Sequence, residues 1–344
     1  MNSKNTIKGK NILLLCQNFY DYDIAIRDEL YKLGANFVFL KNINHYRSIR
    51  DFPKCNVYQC LKGELGRILW TKKLTNEMRN YKFDIFLCIE TVCFVKKFMH
   101  QLKLMNPNIK MILFLWDTYE TQQGAYKDYR FLFDKVFTFD KDDAIRYNME
   151  YYPDFYIPQK PLPKYEYDLC FVGTVNESTT IHRFELVDYV SKFCESNNLK
   201  YYLYLRALPV QSNYRLFKVI KKVMKYFGVF HRLCKKYKDR DWLHFTPLSL
   251  KECNRIQSSS RVVLDLNHKN RQGMTINCIT AIAHGQKLIT TNKRIKEEPF
   301  YNPNMIYVLD DENPYLDITF WDRPNQMIDF SHLRLDNWLL HITE

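Results

Sequence analysis

Short apolar runs alternate with longer amphipathic stretches along most of this chain. Asn11 to Cys16, Asp84 to Ile89 and Met111 to Trp116 have the length and composition of buried strands. Ile24 to Leu33 has helical spacing and is followed by Gly34, a common helix stop. Such alternation indicates a parallel sheet with helices on its faces. Further strand-like runs in this half are Asn36 to Leu40 and Val136 to Phe139, and further helical stretches are Val95 to Leu104 and Ala125 to Phe133.

A proline cluster separates this pattern from a second one of the same kind. Pro153, Pro158, Pro161 and Pro163 predict a stiff linker. The chain is therefore predicted to be α/β, with two doubly wound Rossmann-like domains over residues 1–160 and 161–330 and a closing C-terminal helix over residues 331–344. The strand-like runs after the linker are Tyr167 to Val172, Tyr201 to Leu205, Val262 to Leu266, Lys287 to Thr290 and Met305 to Leu309.

Length and composition fit a packed, two-domain protein. At 344 residues the chain is long for a single core, and 46% of its residues are hydrophobic. Its ten cysteines include no Cys-x-x-Cys pair, which predicts buried free thiols in a reducing compartment. The apolar run near the N-terminus is too short for a secretory core or a membrane span. We expect a cytoplasmic protein.

Positive charge is concentrated in one segment of the chain. The formal net charge is +13, and residues 214–240 carry ten lysines and arginines interleaved with apolar residues. A basic amphipathic helix, broken near Gly228, predicts peripheral contact with anionic lipid at the inner face of the cell membrane. The alternative is a solvated helix face that packs on its own domain.

One strand-loop-helix-strand segment carries the strongest functional signal. The apolar run Val262 to Leu266 is followed by a polar loop, and Gln272-Gly273-Met274-Thr275 opens a helical stretch that Gly285 closes. The N-terminus of a helix offers unpaired N–H groups and a partial positive charge, so a loop that ends in Gly-Met-Thr can receive a phosphate. This βαβ unit predicts a phosphate-bearing ligand.

The same segment resembles the C-terminal half of GT-B glycosyltransferases of bacterial lipopolysaccharide and capsule synthesis. That group commonly carries Gln-x-Gly-Leu-Thr-x-Arg-x-x-Glu-Ala followed by Lys-Leu-Ile-Thr-x-Asn. This chain has Asn277 where the pattern has Arg, and Thr280 where it has the Glu that often holds the donor ribose. A threonine cannot accept two hydrogen bonds from a diol. The matching residues are Gln272, Gly273, Met274, Thr275, Ala281, Lys287, Leu288, Ile289, Thr290 and Asn292.

The resemblance extends over nearly the whole chain, through segments at 111–117, 133–143, 152–158 and 168–174. It implies two Rossmann-like domains that face a cleft, with an acceptor domain first and a nucleotide-sugar donor domain second. It further implies a glycosyltransferase that uses a nucleotide sugar, with UDP favoured, and an acceptor that is a lipid-linked sugar, a lipooligosaccharide or a polysaccharide. No cofactor is implied, because the nucleotide sugar is a substrate.

Candidate donor-binding residues follow the strand ends of the second domain, where open α/β sheets bind ligands. Gln272 to Thr275 stand out, because the helix start, the glycine and the family pattern agree. The alternative for Gly173 is a tight turn, and for Arg206 a surface ion pair. The candidates are Gly173, Thr174, Arg183, Arg206, Asn267, Gln272, Gly273, Met274, Thr275 and Thr280.

Four carboxylates of the first domain are candidates for the base of an inverting transfer: Asp21, Asp23, Glu90 and Asp117. Such a base takes the proton of the acceptor hydroxyl while positive groups stabilise the leaving diphosphate. Asp21 or Asp23 could equally cap the following helix, and Asp117 could start a turn. A retaining enzyme would need no such base.

Other functions remain open from the sequence. The histidines are dispersed and Asp21-x-Asp23 is the nearest approach to an Asp-x-Asp motif, so we predict no essential metal. Transfer of another phosphate-activated group, such as a polyol phosphate, would use the same βαβ unit. The departures at Asn277 and Thr280 would suit a non-catalytic nucleotide-binding protein. The net charge permits a nucleic-acid-binding protein, but the cations cluster in one segment and no known signature accompanies them, so we expect no nucleic-acid partner.

Overall fold

The computed structural model describes residues 5–16, 21–42, 58–89, 95–119, 129–159, 164–175, 180–207, 228–268 and 273–344, with side chains from residue 68 onward in the helix that starts at 58. The chain divides into two compact units. The first comprises Met1–Pro153 and Leu335–Glu344, and the second lies between Asp154 and Arg334.

The first unit contains a six-stranded sheet in which every neighbouring pair is parallel. Its order is β2-β1-β3-β4-β5-β6. The direction in which strands are added reverses between β1 and β3, which makes this pair the topological switch point of the sheet. The strands are β1 (Asn11–Cys16), β2 (Phe37–Asn42), β3 (Ile85–Ile89), β4 (Lys110–Leu115), β5 (Lys135–Thr138) and β6 (Glu150–Tyr151).

Helices cover this sheet because its central strands are apolar on both faces. All of β3 is buried, as are five of the six residues in β1 and in β4. Such continuous apolar runs are typical of parallel sheets with covered faces. The helices that follow are α1 (Tyr22–Lys32), α2 (Tyr58–Met78), α3 (Lys96–Met105) and α4 (Lys141–Tyr147).

The second unit has the same design. Its sheet order is β12-β11-β10-β7-β8-β9, again with parallel pairs throughout, and its switch point lies between β7 and β10. The strands are β7 (Tyr167–Val175), β8 (Tyr201–Ala207), β9 (Leu243–His244), β10 (Ser260–Asp265), β11 (Lys287–Thr290) and β12 (Ile306–Val308). The helices are α5 (Arg183–Ser196), α6 (Val229–Lys236), α7 (Leu250–Ser258) and α8 (Ile276–Ala283).

The C-terminal helix α9 (Leu335–Thr343) packs on the first unit. Trp338 is fully buried with its ring edge-on to Phe114, and its indole N–H donates to the carbonyl of Pro153 at 3.0 Å. Lys110 Nζ donates to the carbonyl of Thr343 at 3.0 Å. The last residues of the chain are therefore part of the first hydrophobic core.

The predicted α/β class with two Rossmann-like units is confirmed, and each predicted strand appears with ends that differ by three residues at most. The predicted helix from Ala125 to Phe133 is different: its described part contains only a short 3₁₀ turn, Arg130–Leu132, and residues 120–128 lie outside the described part. The two-residue strands β6 and β9 are too short to show a periodic signal. Gly34 and Gly285, predicted as helix stops, have φ of 90° and 70°, which glycine adopts readily.

Candidate functional site

The switch point of the second sheet is organised by a buried carboxylate, Asp265, at the last position of β10. Its Oδ1 accepts from the hydroxyl of Thr275 at 2.9 Å, and its Oδ2 accepts from the hydroxyl of Thr290, at the end of β11, at 3.3 Å. One carboxylate therefore fixes the end of its own strand, the end of the next strand and the start of helix α8.

Thr275 has two roles at once, because its hydroxyl is both donor and acceptor. It is the N-cap residue of α8 with extended backbone, and its Oγ1 accepts from the N–H of Cys278 at 3.2 Å. The same oxygen donates to Asp265. The remaining N–H groups of the first turn have no carbonyl four residues earlier within the helix. The helix start is thus held rigidly at the carboxyl edge of the sheet, in the position that suits an anion.

Arg183, the first residue of α5, connects the ends of the two central strands. Its Nη1 donates to the carbonyl of Thr174 at 2.6 Å, and its Nη2 donates to the carbonyl of Leu266, the residue after β10. Burial lowers the pKa of Arg183 to about 10, and the charge of Asp265 opposes this effect. The side chain remains a cation at neutral pH, but two of its N–H groups already donate to backbone carbonyls.

The loop after β10 adds polar groups to this edge. The N–H of Asn267 donates to Thr291 Oγ1 at 2.8 Å, and Asn267 Oδ1 accepts from the N–H of His268 at 2.9 Å. Burial, followed by the charges of Arg183 and His182, lowers the pKa of His268 to about 4. This imidazole is therefore neutral at physiological pH, and it can donate or accept a hydrogen bond without adding charge.

Thr174 and Arg206 are direct partners on the neighbouring strands β7 and β8. Parallel neighbours in register project their side chains from the same face of a sheet. Arg206 Nε is buried without a hydrogen-bond partner, and Arg206 has no ion pair in the part of the chain that the structure describes. The predicted alternative of a surface ion pair for Arg206 therefore finds no partner there. A free guanidinium beside a strand end suits the recognition of phosphate oxygens.

Gly173 lies inside β7, opposite Leu205, and its predicted alternative of a tight turn is wrong. A Cβ at this position would lie 2.5 Å from the ring of Phe171, two residues earlier on the same face. Glycine is needed here so that Phe171 can fold back into the core. This packing role explains the residue without a ligand.

The remaining donor candidates that the structure describes are buried. Gly273 and Met274 are buried, and the carbonyl of Gly273 accepts from Asn292 Nδ2 at 3.4 Å. Thr280 is buried within α8. Gln272 lies outside the described residues. Met274 therefore contributes apolar packing beneath the helix start, while Thr275 supplies its polar contacts.

In the first unit, Asp23 is the most unusual of the carboxylates predicted as bases. It lies in the first turn of α1 with 2% exposure, and its Oδ1 has no hydrogen-bond partner among the described residues. Burial raises its pKa, and the N–H groups of Ile24 and Asp23 oppose the change. Asp21 is exposed in the N-cap position, with φ of 55°, but its side chain makes no capping hydrogen bond. Capping by the Asp21 side chain is therefore not observed.

The other two carboxylates give less information. Asp117 is buried two residues after β4 ends at Leu115. The preceding Trp116 contacts Tyr22, at the start of α1, edge-on with ring centroids 6.3 Å apart. This contact places the end of β4 and the start of α1 in one neighbourhood of the first unit. Glu90 lies outside the described residues.

Within the described ranges, no group of three or more His, Cys, Asp or Glu side chains could hold a metal ion. In the same ranges, no helix is long and apolar enough to cross a membrane. Of the basic segment 214–240, residues 214–227 lie outside the described part. The rest begins with α6, whose N-cap is Gly228, where the sequence predicted a break. The described cysteines have free thiols, and most of them are buried.

Sequence reasoning missed the residues that organise the site, Asp265 above all. Thr290 matches the family pattern, but the sequence assigns it no role. A signal did exist: an acidic residue closes the apolar run of β10, and such positions face the ligand edge of a parallel sheet. The threonine that caps the next helix lies ten residues later, so the contact between the two is visible only in the fold.

No protein-family model matches the chain, and no curated protein matches it. Solved structures do. A UDP-GlcNAc 2-epimerase from Methanocaldococcus jannaschii, in complex with UDP-GlcNAc and UDP, is 11% identical with a TM-score of 0.51, over 96% of this chain and 98% of that one. Another UDP-N-acetylglucosamine 2-epimerase is 11% identical with a TM-score of 0.50, over 98% and 95%.

A UDP-forming α,α-trehalose-phosphate synthase from Burkholderia xenovorans is 11% identical with a TM-score of 0.49, over 97% of this chain and 94% of that one. At these identities the likeness to the two epimerases concerns the fold. Both epimerase chains are matched over nearly their whole length. The predicted GT-B type of fold is thereby confirmed for this chain.

Proposed function

We propose that this protein is a glycosyltransferase that moves a sugar from a nucleotide-sugar donor to a lipid-linked, lipooligosaccharide or polysaccharide acceptor in bacterial surface glycan synthesis. The fold of GT-B type is the premise. The second unit binds the donor, and the first unit supplies the base. The nucleotide sugar is a substrate, so the reaction needs no separate cofactor, and no metal is required.

The observation that carries the donor site is the hydrogen-bonded set of Asp265, Thr275 and Thr290. It fixes the start of α8 at the switch point of the second sheet. A diphosphate placed there accepts hydrogen bonds from the first-turn N–H groups of α8 and from the guanidinium of Arg206. As the bond to the sugar breaks, these groups stabilise the negative charge that develops on the leaving diphosphate.

UDP is the proposed nucleotide. The M. jannaschii epimerase of the same fold type was solved with UDP-GlcNAc and UDP, which supports a uridine nucleotide. In this chain Thr280 replaces the glutamate that often holds the donor ribose, and it is buried. We therefore expect the diphosphate contacts to contribute more of the affinity than the ribose contacts.

Asp23 is the proposed general base among the four candidates. A general base needs a pKa near the working pH, and burial raises the pKa of Asp23 from the ordinary value of an aspartate. Its Oδ1 is unpaired within the described residues, so it is available to accept a proton from an acceptor hydroxyl. This role makes the transfer an inverting one.

Contact with a membrane is proposed through the basic segment 214–240. In its described part, α6 exposes lysines in its last turn, Lys235 and Lys236, and Val229 is half exposed. Cations next to exposed apolar groups suit an anionic lipid surface, where each cation contributes about 1 kcal/mol. A lipid-linked acceptor would be reached from that surface, at the cytoplasmic side of the membrane.

The test of the donor site is a thermal-shift screen with UDP, GDP, CMP, ADP and their sugar conjugates. A ligand at a hundred times its Kd adds about 2.7 kcal/mol to the stability of the folded state. We expect UDP compounds to stabilise the wild type and Thr275→Ser, which keeps the hydroxyl, and to stabilise Thr275→Ala much less. Stabilisation by none of the nucleotides would reject the proposal.

Epimerisation is a second candidate, because two solved structures that match with TM-scores of 0.51 and 0.50 are UDP-GlcNAc 2-epimerases. The two activities differ in their products. Incubation with UDP-GlcNAc alone, followed by chromatography, detects an epimerised nucleotide sugar if the chain is an epimerase. A glycosyltransferase instead releases UDP, and faster when a detergent extract of bacterial membranes supplies acceptors.

A further inference from the structure

The second unit contains a pocket that the donor site does not use. It has a volume of about 430 Å³, within the ~300–1,000 Å³ range of small-molecule sites. Strand β9 pairs only with Leu205 and Arg206, so the amino half of β8 has no strand beside it on that side in the described part of the chain. The pocket occupies this gap, between Tyr201 at the start of β8 and the loop that leads into β9.

The Tyr201 end of the pocket is far from the proposed phosphate contacts. Tyr201 lies five residues before Arg206 on β8, which corresponds to about 17 Å at ~3.3 Å per residue. Ligands of the nucleotide site sit at the carboxyl ends of the strands, whereas Tyr201 is at the amino end. The Tyr201 end of the pocket is therefore apart from the proposed phosphate contacts, and the lining extends from there to His244, the register partner of Arg206 on β9.

Carboxylates surround the phenol of Tyr201. Its hydroxyl donates to Glu195 Oε1 at 3.0 Å. Burial, then Glu195, and further the charge of Asp241, raise the pKa of Tyr201 to about 12, so the hydroxyl keeps its proton. The arginine in the wall, Arg240, is already paired with Asp188 at 3.0 Å. The pocket thus offers hydrogen-bond acceptors without a free cation.

One lining residue carries a buried donor without a partner. Trp242 lines the pocket with 3% exposure, and its indole N–H has no acceptor among the described residues. Buried donors without a partner are rare in proteins, because a water or a ligand usually accepts their hydrogen bond. Tyr201, Tyr202 and Trp242 together give the pocket aromatic walls.

We propose that this pocket binds a saccharide. Each sugar hydroxyl donates and accepts, so one ligand can donate to Glu195 and Asp241 and accept from Trp242. The aromatic walls provide the apolar contact that the C–H faces of a sugar ring require. An ammonium ligand would suit the carboxylates but would leave the indole N–H without an acceptor. Saccharide binding here does not depend on nucleotide binding, and it gives the second unit a glycan contact separate from the donor.

The test is saturation-transfer difference NMR of the full chain with glucose, galactose, N-acetylglucosamine and cellobiose as separate probes. Tetramethylammonium is the cation probe, and UDP reports on the donor site. We expect at least one sugar to bind, and Asp241→Asn and Tyr201→Phe to weaken its binding about tenfold each, because the first removes a charged acceptor and the second removes the hydroxyl that holds Glu195. Asp322→Asn, which changes an exposed aspartate of the same unit outside the pocket, keeps the wild-type affinity.

Three results would overturn the inference. The first is the absence of binding by every sugar, the second is sugar binding that both pocket substitutions leave unchanged, and the third is binding of tetramethylammonium alone. UDP separates this inference from the proposed function. Sugar binding without UDP binding supports the pocket and rejects the donor site, and UDP binding that persists in Asp241→Asn and Tyr201→Phe shows that the variants are folded.

Discussion

The two sheets carry buried carboxylates close to their switch points in opposite situations. In the second unit, Asp265 accepts from two threonine hydroxyls and lies near the positive charge of Arg183. In the first unit, Asp23 is equally buried, but one of its oxygens has no partner in the described part of the chain.

This difference shows that burial has different consequences for the two carboxylates. A buried carboxylate with its partners in place fixes geometry and stabilises the fold. A buried carboxylate with an empty oxygen costs stability and holds its proton more tightly. Such a group is a candidate for chemistry, because catalytic acids and bases have perturbed pKa values more often than other groups. This contrast supports the proposal that the second edge binds the donor and that the first edge supplies the base.

The largest expected effect is on turnover. Asp23→Asn keeps the size of the side chain but removes its basicity, so we expect kcat to fall by roughly 10²–10⁴-fold with little change in UDP affinity. The measurement is UDP release from the nucleotide sugar chosen by the thermal-shift screen, with a membrane extract as acceptor source. Asp154→Asn is the control, because Asp154 is also buried with an unpartnered oxygen but follows the edge strand β6, away from the switch point of the first sheet. Wild-type turnover in Asp23→Asn would show that Asp23 is not the general base.

The next effect is on folding. Asp265→Ala leaves two hydroxyls and the Arg183 guanidinium without their carboxylate, and we expect a loss of about 3 kcal/mol in the free energy of unfolding. Urea unfolding measures it. Asp322→Ala, at a mostly exposed side chain of the same unit, should change this energy by less than ~0.5 kcal/mol. Equal effects of the two substitutions would show that Asp265 does not organise its edge.

A smaller loss is expected at the helix cap. Thr275→Ala removes the bond to the Cys278 N–H and the bond to Asp265, and we expect a cost of about 1–2 kcal/mol. Thr275→Ser keeps the hydroxyl and should recover most of that energy in the same urea titration. Failure of serine to recover it would mean that the threonine methyl, and not the hydroxyl, holds the start of α8.

The last effect is a pH dependence. The pKa values of Asp23 and Asp154 are raised by burial, Asp154 strongly, so the folded state binds these protons more tightly than the unfolded state. This contribution to stability is complete below the unfolded pKa, about 3.9, and is lost as the pH rises through the folded pKa. Relative to the wild type, Asp154→Asn should therefore gain stability as the pH rises from 4, by about 1.4 kcal/mol for each tenfold difference in proton affinity between the folded and unfolded states.

Urea unfolding between pH 4 and 8 measures both proteins. Parallel pH profiles for Asp154→Asn and the wild type would mean that burial does not perturb this carboxyl.

Much of the fold could be predicted from the sequence, because buried parallel strands are continuous apolar runs. The strands at Asn11–Cys16 and Lys287–Thr290 have the predicted bounds, and Gly285 ends its helix as predicted. In the predicted donor site, the helix start at Thr275 could be predicted from the sequence, but the contact of Thr275 with Asp265 could not. The roles of the individual residues were less visible, because they depend on contacts between distant segments.

Gly173 and Arg183 illustrate the limit. From the sequence, Gly173 is compatible with a ligand contact or a turn, and only the fold shows the ring of Phe171 over it. Arg183 follows a strand end by eight residues, and its bonds to the carbonyls of Thr174 and Leu266 become apparent only when β7 and β10 are paired. Side chains that hydrogen-bond to backbone groups leave no periodic signal in the sequence.

The most direct test of the central claim, a nucleotide site at the carboxyl edge of the second sheet, is isothermal titration of UDP into the wild type and Arg206→Met. Methionine keeps much of the apolar stem but removes the charge, and we expect at least tenfold weaker UDP binding. Arg255→Met, which removes an ion-paired arginine on α7, should bind UDP as the wild type does. Equal UDP affinity in Arg206→Met and the wild type, or no UDP binding by either, would contradict the account.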